Sequence, residues 1–260
     1  MDGDRQQARR LQEERHGKQF EVRFDGELAT TPQRVWDAIT TSNGTAGWIW
    51  PLEYEPPTDG SAPAIPDENG AVTVWEPAAR FSARAEGPGG WFNNLDHVLE
   101  PTPGGTTLHY VHTGVFDEDG WDNLYDGCSQ HTAFYMHTLG QYVRYFAGRT
   151  AAYAGIDAPA GSAAPDGFTR VREALGLPAD VTAGTRVRLT PDGLAPIEGV
   201  VDYLHPNFLG IRTADAFYRF VGRNAFGAPV GITLHDFSST RTWTAGKPGS
   251  TASTPPTQNL

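Results

Sequence analysis

Apolar and charged residues alternate most regularly near the start of the chain, over residues 19–29. Phe20, Val22, Phe24 and Leu28 stand at alternate positions, with charged residues between them. Successive side chains of a strand point to opposite faces of the sheet. The pattern therefore predicts a strand with one apolar and one charged face, as in a sheet that is covered on one side.

A helix is predicted directly after this strand. Thr31 can cap its N-terminus, and Pro32 stands at the first helical position, where its missing N–H costs nothing. Three apolar residues then recur at helical spacing and are expected to pack inward: Val35, Trp36 and Ile39. A second, short helix is predicted to run to about Trp48, because Pro51 disfavours helix in the residue before it.

Four strands and one long helix are predicted after a loop at 55–70. Turns rich in proline and glycine separate the strands, which span about 71–76, 80–86, 91–99 and 106–116. Short turns between successive strands indicate an antiparallel meander. The helix spans about 122–149 and would be roughly 40 Å long, enough to cross the whole sheet.

The second half of the chain has a different composition. Residues 151–167 are rich in alanine, glycine and proline and predict a linker, which separates a domain at 19–150 from a small helix-plus-β module at 168–237. The polar segments 1–18 and 238–260 predict a frayed or disordered tail at each end.

The order of elements in the first domain predicts the fold class. A strand, two short helices, a strand meander and a long C-terminal helix make up the helix-grip order. This is an α+β fold in which a curved antiparallel sheet grips the long helix, and the small β-rich module follows it here.

Three short motifs resemble the bacterial homologues of the activator of the heat-shock-protein-90 ATPase. Residues 31–40 followed by Ala-Gly-Trp at 46–48 resemble the first-helix motif of that family, and residues 76–81 resemble its strand–turn–strand segment. Residues 99–115 resemble its penultimate hairpin and final strand. The resemblance covers about 20–148 and implies the START-like, Bet v 1-like fold of the SRPBCC superfamily.

That resemblance implies a ligand cavity between the sheet and the long helix. Pockets of this kind are mostly apolar, with a few polar groups that orient the ligand, and tyrosine and histidine supply both properties. The alternative for any one of these side chains is plain core packing. The predicted lining residues are Trp48, Trp75, Phe81, Tyr110, His112, His131, Tyr135, Leu139 and Tyr142.

The chain departs from the family pattern in two places that affect the cavity. Gly127-Cys128 stands where the family commonly has Gly-Trp near the start of the last helix, and the loop 55–70 is long. The identity of the ligand is therefore not carried over. Residues 165–237 resemble no family, and the predicted roles for this module are to cover the cavity mouth or to form a homodimer.

The residues do not single out a catalytic mechanism. His112, His131 and His137 could exchange protons near neutrality, and some members of the superfamily are polyketide aromatases or cyclases. Cys128 could be a nucleophile with His131 or Thr132 as its helical neighbour, although a packing role is the alternative. The catalytic residues stay unknown at this stage.

No metal site or cofactor is predicted. His131 and His137 are six residues apart, about 600° around a helix, so they lie on different faces. No cysteine–histidine cluster has zinc spacing, and no phosphate-binding or nucleophile-elbow motif occurs. Asp96 and His97 are adjacent in a strand and are expected to point to opposite faces.

The net charge of −11 narrows the choice of partners. An acidic surface is repelled by nucleic acids and by anionic membranes. No apolar run is long enough for a membrane span, and residues 1–18 lack the apolar core of a secretory signal. With a single cysteine, no intrachain disulfide can form. A cytoplasmic protein with a small apolar partner is expected.

Three functions remain open. The first is binding of a small hydrophobic or aromatic ligand without catalysis, which the lack of a strong catalytic set favours. The second is a cyclase- or aromatase-like enzyme acting on a bound polyketide-like substrate. The third is contact with a chaperone, as in the eukaryotic relatives of the family.

Overall fold

The chain folds into two compact units. The first comprises the described parts of Met1–Thr45 and Leu52–Ala147, and the second comprises Ala46–Pro51 with the described part of Gly148–Trp243. The structure is a computed structural model that describes residues 17–56, 70–116, 121–191 and 195–238.

Several predicted segments fall at the edges of this description. Residues 1–16 and 239–260 of the predicted tails, and residues 57–69 of the predicted loop, lie outside the described residues. Lys18, predicted as part of the N-terminal tail, is the first residue of the first strand. None of the described helices has the length and apolar character required to cross a membrane.

The first unit contains five strands and three α-helices in its described residues. They are β1 (Lys18–Leu28), α1 (Pro32–Thr40), α2 (Ser42–Thr45), β2 (Gly70–Glu76), β3 (Arg80–Glu86), β4 (Phe92–Thr102), β5 (Gly105–Phe116) and α3 (Trp121–Tyr145). The sheet order is β1-β5-β4-β3-β2, and every neighbouring pair is antiparallel. This mixed α+β arrangement has the predicted helix-grip order.

Local sequence explains how these elements begin and which face they bury. The Thr31 side chain accepts a hydrogen bond from the Arg34 amide, and Pro32 opens α1 as predicted. Strand β5 alternates strictly between buried and partly exposed residues. Helix α3 covers part of the buried face, where Cys128 packs with Phe20 of β1 and Phe116 of β5.

The second unit is built on a six-stranded antiparallel sheet. Its elements are β6 (Ala152–Asp157), α4 (Gly167–Ala174), β7 (Arg186–Leu189), β8 (Ile197–His205), β9 (Phe208–Arg212), β10 (Ala216–Val221) and β11 (Gly231–Asp236), in the order β6-β11-β10-β9-β8-β7. Phe168 of α4 packs into a core with Leu209, Ile211 and Phe220 of the sheet.

Strand β6 lies in the range that the sequence predicts as a linker, 151–167. Its six residues pair along their whole length with β11, from Ala152 opposite Asp236 to Asp157 opposite Gly231. Alanine and glycine have little strand propensity of their own, so this strand depends on its partner. Composition alone predicts a linker here, because it carries no information about the pairing of this segment with β11.

A buried ion pair joins β8 and β10 of the second unit. Arg219 donates two hydrogen bonds to the Asp202 carboxylate, both of 2.8 Å, and the two side chains are 3% and 4% exposed. The Arg219 guanidinium also lies 4.3 Å from the centre of the Phe217 ring. Burial lowers the pKa of Arg219, and the Asp202 carboxylate opposes this shift.

Candidate functional site

A row of rings crosses the buried face of the first unit's sheet. Neighbouring rings lie with their centres 4.8–6.4 Å apart. All five strands contribute, because β2, β3 and β4 each supply one ring, β5 two and β1 one. We call this set the aromatic row, and its members are Trp75, Phe81, His97, Tyr110, His112 and Phe20.

The strand register brings these residues onto one face. Trp75 is paired with Phe81, Phe81 with His97, and His97 with Tyr110. Directly opposed residues in antiparallel strands share a face, as do residues two apart along one strand. His112 therefore continues the row from Tyr110, and Phe20 meets it with ring centres 5.0 Å apart.

Two further aromatic residues close one end of the row. Trp36 of α1 lies edge-on to Trp75 with ring centres 4.9 Å apart, and Tyr54 lies 4.7 Å from Phe81. Burial raises the pKa of Tyr54 to about 12, so its phenol is neutral near physiological pH. The polar groups that these aromatic side chains bring to this end of the row are the Tyr54 hydroxyl and the indole N–H groups of Trp36 and Trp75.

His97 is the polar member at the centre of the row. The side chain is buried, and its Nδ1 has no hydrogen-bond partner among the described residues. Burial lowers the pKa of His97 to about 4, although neighbouring Asp96 and the Phe81 backbone act in the opposite direction. His97 is therefore neutral at physiological pH. Asp96 points the other way and pairs with Arg80 at 2.9 Å, as strand alternation predicts.

A thiol, an imidazole and an amide meet at the other end of the row. Cys128 Sγ lies 3.3 Å from His112 Nδ1, and His112 Nε2 lies 2.5 Å from Asn93 Oδ1. Burial lowers the pKa of His112 to about 4 and raises the pKa of the Cys128 thiol to about 12. The hydroxyl of Thr132 hydrogen-bonds Cys128 and opposes that rise. Both members of the pair are neutral in the resting state.

The other predicted lining residues occupy different positions. Leu139 and Tyr142 of α3 are buried, and Tyr135 is partly buried with its ring 5.9 Å from the His131 ring. The Nδ1 of His131 donates to the carbonyl of Gly127 at 2.8 Å, so that nitrogen is engaged by its own helix.

Trp48 does not group with the other predicted lining residues. It is buried, but it belongs to Ala46–Pro51, the segment that groups with the second unit. In that unit the Ala46 carbonyl accepts a hydrogen bond from His235 Nδ1 at 2.7 Å. Burial lowers the pKa of His235 to about 3.

Sequence reasoning missed Asn93 as a member of the site. Asparagine is depleted in strands, so the Asn93-Asn94 pair inside β4 was an available signal. Asn93 lies opposite Gly114 of β5, two residues from His112, and this diagonal relation follows only from the register of the hairpin.

Two further observations concern metal sites and surface depressions among the described residues. No group of three histidine, cysteine, aspartate or glutamate side chains among them is placed to hold a metal ion. An open depression of about 690 Å³ lies over β7 and β8 of the second unit, lined by residues that include Arg186, Arg188 and Arg212. Arg186 and Arg188 are exposed. His97 and the Cys128–His112 pair all lie in the first unit.

Burial of neutral His97 is expected to make the stability of the protein depend on pH. Its pKa is about 4 in the folded chain and 6.5 in the unfolded chain, so the unfolded chain binds more protons between these values. Stability is then complete above pH 6.5 and falls as the pH drops to 4, by on the order of 3 kcal/mol from this residue. Urea titrations at a series of pH values measure the slope.

Replacement of His97 by leucine is expected to reduce that slope, while the exposed His109 provides the control. The hydrogen bond with Asp25 raises the pKa of His109. The contribution of His109 to the free energy of unfolding therefore has the opposite pH dependence and is lost as the pH rises. An unchanged slope in His97→Leu would show that His97 is already protonated or exposed in the folded state.

Comparisons with known proteins give matches among solved structures only. No protein-family model matches the chain, and no curated protein matches it. Among solved structures, protein MLL2253 from Mesorhizobium loti is 20% identical over 49% of this chain and 98% of its own, with a TM-score of 0.41. The Aha1 dimer from Colwellia psychrerythraea is 16% identical over 48% and 96%, with a TM-score of 0.38.

A third match extends over more of the chain. DynU16, a protein of the dynemicin biosynthetic locus, is 16% identical over 83% of this chain and 86% of its own, with a TM-score of 0.38. At these identities and TM-scores the matches assign neither a superfamily nor a role to the chain. The described elements of the first unit follow the helix-grip order that the sequence predicts.

Proposed function

We propose that the first unit binds a small, flat aromatic molecule that carries a hydroxyl group, with the aromatic row as the binding surface. The observation that carries the proposal is His97 Nδ1, which is buried and has no partner among the described residues. An unsatisfied buried polar atom costs about 1–3 kcal/mol, so its presence in a native structure calls for an explanation. One explanation is a ligand that forms a hydrogen bond with this nitrogen.

The protonation of His97 indicates which ligand group fits. The neutral ring carries one proton, so its Nδ1 is either a donor or an acceptor. A hydroxyl group both donates and accepts, so it completes the hydrogen bond of Nδ1 in either tautomer.

The neighbours of His97 favour an aromatic body for the ligand. Phe81 and Tyr110 lie on either side of it, with ring centres 5.5 and 4.8 Å away. Aromatic pairs contribute about 0.5–1.5 kcal/mol each beyond the area that they bury. A flat ring system can make several such contacts along the row and place one hydroxyl at Nδ1.

A pair of probes that differ only in the hydroxyl group tests this proposal. We expect 2-naphthol to bind more tightly than naphthalene by about tenfold, the value of one neutral hydrogen bond. In His97→Leu the two probes are expected to bind equally, because the leucine offers no hydrogen-bonding atom. Calorimetric titration or thermal-shift measurement gives both affinities, and urea unfolding is expected to show a stability within about 1 kcal/mol of the original.

A matched control separates a local effect from a general one. His109→Leu changes a histidine on β5 whose side chain is exposed and bonded to Asp25, so it is expected to keep the tenfold preference. The proposal fails if neither probe binds, or if the preference for the hydroxyl survives in His97→Leu.

Contact with a chaperone or with a second copy of the chain stays a prediction. The large apolar side chains that are exposed in the described part of the chain are Tyr145, Ile156 and Phe226. They stand on three different elements, and single exposed apolar residues are ordinary on protein surfaces. They give no support for a docking surface.

A further inference from the structure

The hydrogen bonds of His112 fix the positions of its protons. Asn93 Oδ1 is a carbonyl oxygen and only accepts, so His112 Nε2 carries the proton of the neutral ring and donates it at 2.5 Å. His112 Nδ1 then has a free lone pair, which faces the thiol of Cys128 at 3.3 Å. The thiol proton therefore points at a base that is oriented by a third residue.

We propose that Cys128 is a nucleophile toward activated acyl groups, with His112 as its general base and Asn93 as the residue that positions the imidazole. Cysteine, histidine and asparagine in these three roles occur on unrelated folds. The substrate class is an aryl ester or thioester with a hydroxylated aromatic acyl group. The inference rests on the proposed binding function, because the aromatic row supplies the surface that holds the acyl group.

A second observation points to a ligand on the same row as the thiol. The unpartnered Nδ1 of His97 is on that row, and only Tyr110 stands between the rings of His97 and His112. The ring of His112 in turn contacts Cys128, with Sγ 3.3 Å from Nδ1. A molecule that bonds to His97 and extends along the row past Tyr110 would therefore reach the thiol.

The reaction balances with water as the second reactant. Cys128 Sγ attacks the acyl carbon while His112 Nδ1 takes the thiol proton, and the tetrahedral intermediate expels the phenol or thiol, which receives that proton. A water molecule then attacks the cysteine thioester, again with His112 as base. The carboxylic acid leaves, and Cys128 regains its proton, so an ester and water give an acid and an alcohol or thiol.

The neutral resting state determines the pH dependence of this step. A buried thiol with a pKa of about 12 is not present as thiolate near neutrality, so it needs its base during the attack. The titratable groups that face His112 are Cys128 of α3, His97 of β4 and Tyr110 of β5, and its neighbour on β1 is the apolar ring of Phe20. Above its pKa of about 4, His112 is neutral and able to accept a proton.

The first experiment incubates the protein with p-nitrophenyl 4-hydroxybenzoate, whose acyl group carries the hydroxyl that bonds to His97. We expect a burst of p-nitrophenolate and a 4-hydroxybenzoyl thioester on Cys128, whose position is unambiguous because the chain has one cysteine. Cys128→Ala is expected to abolish the adduct. His112→Gln is expected to slow acylation by about 10²–10⁴-fold, while His109→Gln on the outer face of the same strand keeps the original rate.

The pH profile of acylation separates general-base catalysis from simple thiol reactivity. With His112 as base, the rate is expected to be flat between pH 6 and 9, whereas a thiol that reacts as free thiolate speeds up about tenfold per pH unit. In His112→Gln we expect the flat profile to be replaced by an acylation rate that rises about tenfold per pH unit. Asn93→Asp adds a negative charge beside the imidazole and is expected to move the acid limb of the profile to higher pH, an effect that requires residue 93 to contact the ring that acts as the base.

The outcomes separate this inference from the proposed function. The unreactive amide analogue, 4-hydroxy-N-(4-nitrophenyl)benzamide, reports binding alone and is expected to bind to the original protein and to Cys128→Ala equally. Binding of the amide without any adduct from the ester would overturn the nucleophile and leave the binding function intact. An adduct that forms equally in His112→Gln would also overturn it, and a lack of amide and naphthol binding would overturn both.

Discussion

Replacing Asp202 with alanine is expected to lower the free energy of unfolding by about 3–5 kcal/mol, because it leaves the Arg219 guanidinium buried and unpaired. Arg219 and Asp202 share two hydrogen bonds of 2.8 Å at side-chain exposures of 3% and 4%. Water therefore cannot replace the lost carboxylate without opening the second unit. Urea unfolding of the full chain, followed by circular dichroism, measures the loss.

Two comparisons show that burial is the cause. The exposed pair Arg188–Glu198, with side chains 64% and 75% exposed, is expected to contribute less than about 1 kcal/mol, so Glu198→Ala has little effect. The double replacement Asp202→Leu with Arg219→Met removes both charges and is expected to recover most of the loss. A loss of similar size at Glu198, or none at Asp202, would contradict the explanation.

Replacing Phe81 with alanine is expected to lower the free energy of unfolding by about 3–5 kcal/mol, the usual cost of deleting a fully buried aromatic side chain. Phe81 is 1% exposed and contacts the rings of Trp36, Tyr54, Trp75 and His97. These rings come from four different parts of the first unit, so they cannot all move in to fill the space.

The same substitution at an exposed site is the control for Phe81. Phe226 is 48% exposed, and Phe226→Ala is expected to change the stability by less than about 1 kcal/mol. Phe81→Ala is also expected to weaken naphthol binding, since it removes one side of the surface around His97. A small loss of stability at Phe81 would show that the row can rearrange, and the predicted binding surface would then need revision.

The element order of the first unit was predictable because its signals are local. The alternation over 19–29, the Thr31 cap and the proline-rich turns each act within a few residues, and the structure has β1, α1 and the meander there. Strand β6 was not predictable in this way, because Ala152–Asp157 becomes a strand only through its pairing with β11.

The candidate site depends on relations that are distant in sequence. The alternation of β5 was enough to place Tyr110 and His112 on one face. The contact between Cys128 and His112 also requires the position of α3 over the sheet, so sequence reasoning considered the helical neighbours His131 and Thr132 as partners of the thiol instead. Trp48 is close in sequence to the first unit but groups with the second, so its role as a lining residue stays a prediction.

The ion pair of the second unit is expected to make three positions of the chain change together during evolution. Gly210 lies opposite Arg219, and a Cβ atom at 210 would lie 2.6 Å from both Arg219 Nη1 and Asp202 Oδ1. The salt bridge thus fills the volume that a side chain at 210 would need. Related chains that carry a larger residue at this position are expected to have lost the arginine and the aspartate together, so the three positions should covary.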